Sequence, residues 1–371
     1  MPSPEPVPIR PDVSIIVPAR NEEVSLEACL GSLVSQKGVS FEIIVIDDAS
    51  SDRTREIALS FPGVQVVDPP PLAKGWTGKN NAVFAGARHA TGNWLLFTDA
   101  DTVHLPGSLA RSLAEARGTG AALLSYSPQQ EVQTLWEKAV MPVIFAELAS
   151  NYRPSEVSDP NSTAAAANGQ YLLISREAYD AVGGHAAVAN EILEDVALAR
   201  RVKQSGRKIH FRYAADAVRT RMYRNFQQLR EGWTKNLALL FDNPGQLARR
   251  RTAEFLLIAG SAGLALEAAA SRRSKTAAAA ATVAALAYAF HRKRIGRAHF
   301  SPQSNALALI GLPLFSYLLW RSTLSHREGT VQWKGRTYGS QVAPEASKDL
   351  TDAEAAKITE LEVEAPKASG M

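Results

Sequence analysis

The sequence lacks several features that would place it in familiar protein classes. Only one of its 371 residues is a cysteine, Cys29, which excludes a disulfide framework or a cysteine-rich zinc site and predicts a reducing compartment. The seven histidines do not cluster, so a histidine-based zinc site is not expected. There is no Gly-x-Gly-x-x-Gly loop, and the proline-rich segment 1–12 has no apolar run typical of a signal peptide. We therefore expect the first domain to remain in the cytoplasm.

The net charge of +4 is small but unevenly distributed. Residues 341–371 carry seven acidic and three basic side chains, a net charge of −4, which leaves +8 on the rest of the chain. Basic residues gather just before the apolar part of the sequence, at Arg219, Arg221, Arg224, Arg230, Lys235 and 249–251. This pattern favours contact with an anionic membrane surface and does not favour nucleic acid binding. An ordinary solvated face is the alternative.

Short β-branched runs alternate with helical patterns between Val13 and about Phe241. The runs predicted to be strands are 13–17, 41–46, 64–67, 94–98, 121–126 and 171–174. The alternation predicts an α/β fold with a Rossmann-like, mainly parallel sheet covered by helices. The helix between the first two strands is expected to have Asn21 as its N-cap.

Three apolar segments follow, at 255–270, 276–290 and 305–320. Each is shorter than the roughly 20 residues that a helix needs to cross a bilayer, and each is rich in alanine. We expect membrane-associated helices here. A soluble helical subdomain and a hairpin that enters one leaflet are the alternatives.

Acidic residues follow two of the predicted strands. Asp47 and Asp48 end the second strand, and Asp99 and Asp101 follow the fourth. Ligands collect at the carboxyl ends of strands in such sheets. If the segment is extended, the two-residue spacing of Asp99 and Asp101 lets both carboxylates face one side and share a divalent metal and a sugar phosphate.

A third acidic pair, Glu194 and Asp195, precedes a helical pattern. Transfer of a sugar to an acceptor hydroxyl needs a base, and a carboxylate here is a candidate for that role. The alternative is a favourable interaction of the two carboxylates with the dipole of the helix.

Four motifs in this order resemble the family 2 glycosyltransferases, which have a GT-A fold. They are 14–23 (Ser-Ile-Ile-Val-Pro-Ala-Arg-Asn-Glu-Glu), 46–52 (Ile-Asp-Asp-Ala-Ser-Ser-Asp), 99–101 (Asp-Ala-Asp) and 194–195 (Glu-Asp). The resemblance spans about residues 13–241 and is more specific than any one motif. It implies an inverting transferase that uses a nucleotide sugar and either Mg²⁺ or Mn²⁺.

The resemblance also implies roles for individual residues. Pro18, Arg20 and Glu22 would line the nucleotide pocket. Asp48, helped by Asp47, would contact the base or the ribose.

The remaining implied roles concern the sugar diphosphate and the acceptor. Asp99 and Asp101 would hold the sugar diphosphate and the metal, and Asp195, beside Glu194, would be the general base. Lys79 directly follows Gly78, which would permit close approach of the backbone, and is expected to reach the diphosphate.

Three smaller motifs, 75–80, 231–236 and 333–338, resemble membrane-associated members of the family near hopanoid and carotenoid biosynthesis. Processive polysaccharide synthases carry a Gln-x-x-Arg-Trp motif, but here Arg230 is separated from Trp233 by two residues. We still expect Arg230 to meet a phosphate and Trp233 to contact the nucleotide sugar. The interruption favours a single transfer over synthesis of a polymer.

These inferences predict a flexible segment 1–12, a GT-A domain at 13–245, apolar membrane-associated helices at 246–325, a cytoplasmic return segment at 326–340 and a disordered acidic tail at 341–371. The expected function is transfer of one sugar from a UDP- or GDP-sugar to a lipid-like acceptor such as a polyprenyl, carotenoid, hopanoid or glycerolipid. The protein is expected at the inner membrane with its GT-A domain in the cytoplasm, which requires an even number of crossings. A processive polysaccharide synthase and a catalytically silent nucleotide-binding membrane scaffold are the alternatives.

Overall fold

The fold combines a central sheet with a group of long helices. A computed structural model describes residues 10–339; residues 1–9 of the predicted flexible segment and the predicted acidic tail lie outside them. The strands are β1 (Val13–Ala19), β2 (Phe41–Asp47), β3 (Val64–Val67), β4 (Trp94–Phe97), β5 (Thr102–His104), β6 (Leu123–Ser127), β7 (Gln129–Gln130), β8 (Leu172–Ser175), β9 (Ile209–Tyr213), β10 (Val218–Thr220), β11 (Val331–Trp333) and β12 (Arg336–Tyr338). The helices are α1 (Leu26–Val34), α2 (Thr54–Leu59), α3 (Gly78–His89), α4 (Ser108–Thr119), α5 (Leu135–Asn151), α6 (Pro154–Ser158), α7 (Arg176–Ala181), α8 (Glu194–Gln204), α9 (Phe226–Leu240), α10 (Pro244–Ala270), α11 (Ser274–Ile295) and α12 (Pro302–Glu328).

Seven strands form the central sheet, in the order β3-β2-β1-β4-β8-β6-β9. Only β8 runs antiparallel to its neighbours, β4 and β6, so the predicted mainly parallel α/β sheet is confirmed. The continuous apolar runs of β1 and β2 are buried because helices cover both faces of the sheet. A small sheet of β5, β10 and β7 lies beside it, and β11 and β12 form a separate hairpin.

The predicted cap at Asn21 is wrong. The helix begins later, at Leu26, with Ser25 in the N-cap position. Asn21 has a left-handed backbone conformation (φ 53°), and its side-chain oxygen accepts a hydrogen bond from the backbone N–H of Ser51 at 2.9 Å. An asparagine tolerates this conformation, and here it joins the loops that follow β1 and β2.

The C-terminal helices form a second structural unit. Helices α10, α11 and α12 contain 27, 22 and 27 residues, so they extend well beyond the apolar runs of the sequence. By length and composition, α10 and α12 are long and apolar enough to cross a membrane. Helix α5, from the middle of the chain, packs against α12 and shares a hydrophobic core with it and α9. The unit is therefore assembled from distant parts of the sequence.

Helices α10 and α11 pack against each other as an antiparallel pair, called here the helical hairpin. Large apolar side chains on its outer surface are exposed, including Leu257, Leu264, Leu266, Leu286 and Phe290. Phe290 is 72% exposed and Leu266 is 74% exposed. An apolar surface of this kind marks a site of contact with a membrane or with another protein.

Helices α5 and α12 approach each other closely at Gly311. A Cβ atom at Gly311 would lie 1.9 Å from the backbone oxygen of Ala139. We expect Gly311→Ala to lower the free energy of unfolding by about 2–3 kcal/mol, because the backbones must separate. Gly263→Ala in α10 is the matched control, since a Cβ atom there meets nothing within 4 Å. Thermal unfolding followed by circular dichroism in detergent tests this, and equal midpoints for the two variants would contradict the close packing of α5 and α12.

Candidate active site

The carboxyl ends of β1, β2 and β4 meet at one edge of the central sheet. The parallel register pairs Ala19 with Asp47 and Ile16 with Phe97. A cavity of about 680 Å³ opens at this edge, and this volume is typical of a small-molecule site. The cavity thus lies where ligands collect in open α/β sheets.

Most of the predicted site residues line this cavity. They are Pro18, Arg20, Glu22, Asp48, Lys79, Asp99, Asp101, Glu194, Asp195 and Trp233. Asp47 and Arg230 are not among the lining residues. The Asp47 carboxylate instead accepts a hydrogen bond from the Ser50 backbone N–H at 3.2 Å and pairs with Arg55 at 3.4 Å. Its position therefore supports the loop after β2.

Trp233 contributes to the cavity wall but is largely a core residue. Trp233 is only 2% exposed, and its ring contacts Phe145 and Tyr223 edge-on. The indole N–H donates to the sulfur of Met141 at 3.4 Å. Packing accounts for these contacts, and a contact with the nucleotide sugar stays a prediction.

Lys79 lies at the centre of the acidic residues. The side chain of Thr77 caps α3, which places Lys79 in the first turn of that helix. The ammonium nitrogen is 2.9 Å from Asp99 Oδ1 and 2.8 Å from Glu194 Oε1. Burial opposes the charge, but these carboxylates outweigh it and hold the pKa of Lys79 well above its usual value. A Cβ atom at Gly169 would lie 2.9 Å from this ammonium, so the glycine makes room for it.

Asp195 is oriented by two backbone groups. Its Oδ2 accepts from the N–H of Gly169 at 2.7 Å, and its Oδ1 accepts from the N–H of Val196 at 2.8 Å. Burial, followed by the nearby Glu194 carboxylate, raises the pKa of Asp195 to about 6. A carboxylate with this pKa is ionised at neutral pH and is well suited to accept a proton.

Asp99 and Asp101 lie at a turn, so the condition of an extended segment, under which both carboxylates would face one side, is not met. The backbone N–H of Thr102 donates to the backbone carbonyl oxygen of Asp99 at 3.2 Å and closes this turn between β4 and β5. The chain turns here because β5 leaves the central sheet and joins the small one. Both carboxylates nevertheless line the cavity.

The surroundings of Asp101 fit a bound cation. Its Oδ1 is buried and has no hydrogen-bond partner among the described residues. Burial, and then the charges of Asp99 and Glu22, raise the pKa of Asp101 to about 8. Within residues 10–339, no three His, Cys, Asp or Glu side chains form a metal site of their own. Two carboxylates fit Mg²⁺ or Mn²⁺ when phosphate oxygens of a substrate supply further ligands.

Asn80 is a structural residue of the site that the sequence did not reveal. Its side-chain amide is fully buried and donates to the carbonyl oxygens of Val188, Ala189 and Glu191 at 2.7, 3.0 and 2.9 Å. These bonds fix the start of α3 to the segment that leads to the acidic pair at the start of α8. The motif 75–80 could have indicated this role only if the distant partner segment were known.

Two cations of the β11–β12 hairpin also face the acidic residues. Arg336 donates from Nη2 to Asp48 Oδ1 at 2.7 Å and forms a second ion pair with the same carboxylate. Lys334 pairs with Glu22 and donates to the backbone oxygen of Arg20 at 3.0 Å. The sequence identified 333–338 as a motif without assigning a role to either cation.

The rest of the cavity, called here the apolar half, is lined mainly by apolar and aromatic side chains, although Arg297 also lines it. Its lining residues include Phe145, Leu148, Ala149, Tyr152, Phe211, Leu240, Ala298 and Phe300. They come from β9, α5, α9 and the segment between α11 and α12, where Gly296–Ala298 forms a 3-10 turn. His299 stacks on Tyr213 with ring centres 4.7 Å apart and completes this wall. The cavity therefore joins a charged compartment to an apolar one that adjoins the helical hairpin.

The contacts of Asn80 lead to a testable prediction. We expect Asn80→Ala to lower the free energy of unfolding by about 2–4 kcal/mol, because three backbone oxygens lose their donor. Asn81→Ala is the matched control, since within residues 10–339 the side-chain amide of Asn81 donates only to the backbone oxygen of Pro70, at 2.8 Å. Thermal unfolding measures the loss, and hydrogen exchange should accelerate at 188–196 in the Asn80 variant alone. Unchanged exchange at those amides would contradict the anchoring role.

Comparisons with known proteins agree with this architecture. Residues 14–183 match the family described as Glycosyl transferase family 2. The 4,4'-diaponeurosporenoate glycosyltransferase of Staphylococcus aureus strain USA300 is 30% identical over 347 residues, which cover 88% of each protein. The protein of the same name from strain MRSA252 is 31% identical over 351 residues, again covering 88% of each protein.

Solved structures show weaker likenesses. The mannosyltransferase PcManGT from Pyrobaculum calidifontis, in complex with GDP-Man and Mn²⁺, has a TM-score of 0.49 and 19% identity over 85% of this chain and 87% of that chain. Glucosyl-3-phosphoglycerate synthase from Mycobacterium tuberculosis, in complex with Mn²⁺, UDP and phosphoglyceric acid, has a TM-score of 0.41 and 21% identity over 62% and 78%. The family match, the similarity along the chain and the mainly parallel α/β sheet confirm the predicted GT-A fold, and this chain belongs to the family 2 glycosyltransferases.

Proposed function

We propose that this glycosyltransferase moves a single sugar, with inversion, from a nucleotide sugar to a lipid-like acceptor held at a membrane. The observation that carries the proposal is the division of one cavity into a charged half and an apolar half. A nucleotide sugar is highly polar and a lipid is not, so the two substrates match the two compartments.

The charged half suits the donor. Asp48 lies at the end of β2, where its carboxylate can accept hydrogen bonds from a ribose or a base. Asp99 and Asp101 would hold a divalent cation together with the sugar diphosphate. When bound, the cation would neutralise the negative charge that develops on the departing diphosphate.

Asp195 would act as the general base of the transfer. The oxygen of an acceptor hydroxyl attacks the anomeric carbon, the bond from this carbon to the diphosphate oxygen breaks with its electron pair staying on the diphosphate, and the hydroxyl proton moves to Asp195. Attack on the face opposite the diphosphate inverts the configuration. The N–H groups of Gly169 and Val196 orient the carboxylate, and Lys79 balances the charge of the neighbouring Glu194.

The apolar half suits the acceptor. Its aromatic and aliphatic lining would bury the chain of a lipid and leave the reacting group near Asp195. The segment 296–300 forms part of this lining and follows the helical hairpin directly. The exposed leucines and Phe290 of the hairpin would contact the bilayer that supplies the acceptor.

The relatives support this choice of acceptor. They are glycosyltransferases of 4,4'-diaponeurosporenoate, a carotenoid, by name, and they are similar to this chain along 88% of its length. A carotenoid-like acceptor is therefore the first candidate for this protein. Attachment at the inner membrane with the GT-A domain in the cytoplasm stays a prediction.

Turnover tests the proposal directly. Detergent-solubilised protein is incubated with UDP- and GDP-sugars, Mg²⁺ or Mn²⁺ and carotenoid-containing bacterial lipid extract, and both nucleoside diphosphate and glycolipid are measured. We expect product only when donor, cation and lipid are all present. Asp101→Asn and Asp195→Asn should each reduce turnover by about 100-fold or more.

Asp180→Asn is the matched control, because Asp180 is an exposed carboxylate on α7. It should retain normal turnover. A polymeric product would favour the processive synthase, and release of nucleoside diphosphate without any glycosylated lipid would contradict the lipid acceptor. Normal turnover in the Asp195 variant would remove this residue from the mechanism.

The pKa of Asp195 gives the reaction a defined pH dependence. The base must be ionised, so turnover should fall as pH drops through about 6, the value set by burial and Glu194. At saturating donor and cation, the rate should fall about tenfold per pH unit below this point. The residual turnover of Asp195→Asn should not show this fall at low pH. A flat profile between about pH 5 and 7 in the unaltered protein would contradict the assignment of the base.

A further inference from the structure

The β11–β12 hairpin (Val331–Tyr338) brings the end of the described chain to the ends of β1 and β2. Trp333, Lys334, Arg336 and Tyr338 all line the cavity. The hairpin is anchored from behind by Val331, which is fully buried, and by packing of β11 against α9. It is therefore a wall of the charged half and not a loose extension.

Arg336 occupies a position that suits an anion-binding group. It lies over the start of α3, where a Cβ atom on Gly78 would fall 1.5 Å from Arg336 Nη1. Gly78 thus permits the guanidinium to reach the first turn of a 12-residue helix, whose N-terminus also favours negative charge. Lys79 lies in the same turn. An anion placed here meets two cationic side chains and the positive end of a helix.

Two lysines, one from the hairpin and one from α9, add positive charge around Trp333. Lys334 Nζ and Lys235 Nζ lie 5.9 and 5.7 Å from the centre of the Trp333 ring. The described residues provide no carboxylate within ion-pair distance of Lys235, although it lines the cavity. Within residues 10–339, the carboxylates in ion-pair contact with Lys334 and Arg336 are those of Glu22 and Asp48, both of which are expected to belong to the donor pocket.

The charges of the cavity favour an exchange of partners when the donor binds. The lining contains six acidic side chains and six arginines or lysines, so it is formally neutral before an anion enters. A nucleoside can donate hydrogen bonds to Asp48 in place of Arg336, which frees the guanidinium. The diphosphate can then accept from Arg336 and Lys334, and such charge-assisted bonds are among the strongest that proteins form.

We propose that Lys334 and Arg336 bind the diphosphate of the donor, and that Glu22 and Asp48 hold them in place while the donor is absent. This inference rests on the proposed use of a nucleotide sugar. The tip of the hairpin is a tight turn in which Lys334 and Gly335 have φ values of 47° and 76°. A turn of this type keeps two short strands together, so the turn holds both cations on the same wall of the charged half.

The test measures binding of nucleoside diphosphates by titration calorimetry. Full-length protein in detergent with Mn²⁺ is titrated with UDP, GDP, ADP, CDP and dTDP and with the corresponding monophosphates. We expect Arg336→Ala and Lys334→Ala each to weaken diphosphate binding by about tenfold or more. Monophosphate binding should change much less, and Arg336→Lys should retain part of the affinity.

Arg88→Ala is the matched control, because it removes an exposed arginine from the last turn of α3. It should bind like the unaltered protein. Hydrogen exchange on the unaltered protein provides an independent readout, in which the diphosphate should protect the amides of 331–338. Circular dichroism confirms that the variants are folded.

The outcomes separate this inference from the function on which it rests. Diphosphate binding by the unaltered protein with unchanged affinity in both variants would overturn the inference alone. Tighter binding in Arg336→Ala would also overturn it and would identify the hairpin as a plug of the donor site. Failure of the unaltered protein to bind any of the diphosphates would overturn both the inference and the nucleotide-sugar proposal.

Discussion

The ion pairs of Lys79 are the interaction on which the active site depends. One ammonium bridges Asp99, which follows β4, and Glu194, which begins α8. Without it, three carboxylates, including that of Asp195, would repel one another in a poorly solvated cavity. The surrounding structure serves this contact: Thr77 caps the helix that carries Lys79, and Gly169 leaves space for the ammonium.

The helical unit completes the site. Phe145 and Leu148 come from α5, yet they line the same cavity as the carboxylates at the strand ends. Their helix belongs to the middle of the sequence, and it is held by the close approach of α12 at Gly311. The apolar wall is thus set by packing among α5, α9 and α12. This arrangement couples the charged compartment to the surface on which the proposed acceptor would arrive.

Much of the sheet could be predicted from the sequence, because continuous β-branched runs flanked by polar turns specify buried parallel strands. The acidic residues after β4 were found for the same reason, whereas Glu194 and Asp195 were found because they precede a helical pattern. Local patterns were less informative where a distant segment offers a side chain a different hydrogen-bond partner. Asn21 has the chemistry of a helix cap, but its side chain binds Ser51 instead.

The limits of the apolar helices were harder to predict for a related reason. Hydropathy marks only the apolar part of each helix, whereas α10 continues through a charged first half in which Arg251 pairs with Glu147 of α5. The contacts of Asn80 and Arg336 were also beyond prediction, since their partners lie 108 and 288 residues away in the sequence. Such pairs are visible only once the fold brings them together.

The ends of α12 restrict how the protein can meet a bilayer. A helix of 27 residues is about 40 Å long, enough to cross the hydrocarbon core. However, His299, just before α12, stacks on Tyr213 of β9, and His326 near its end bonds to the backbone oxygen of Lys235 at 2.8 Å. Both ends therefore contact the walls of the same cavity, and α12 lies along the domain. These contacts hold α12 against the GT-A domain, so the proposed contact with a bilayer rests on the exposed apolar side chains of the helical hairpin. The end of α12 leads directly to the β11–β12 hairpin and thereby places that hairpin at the cavity.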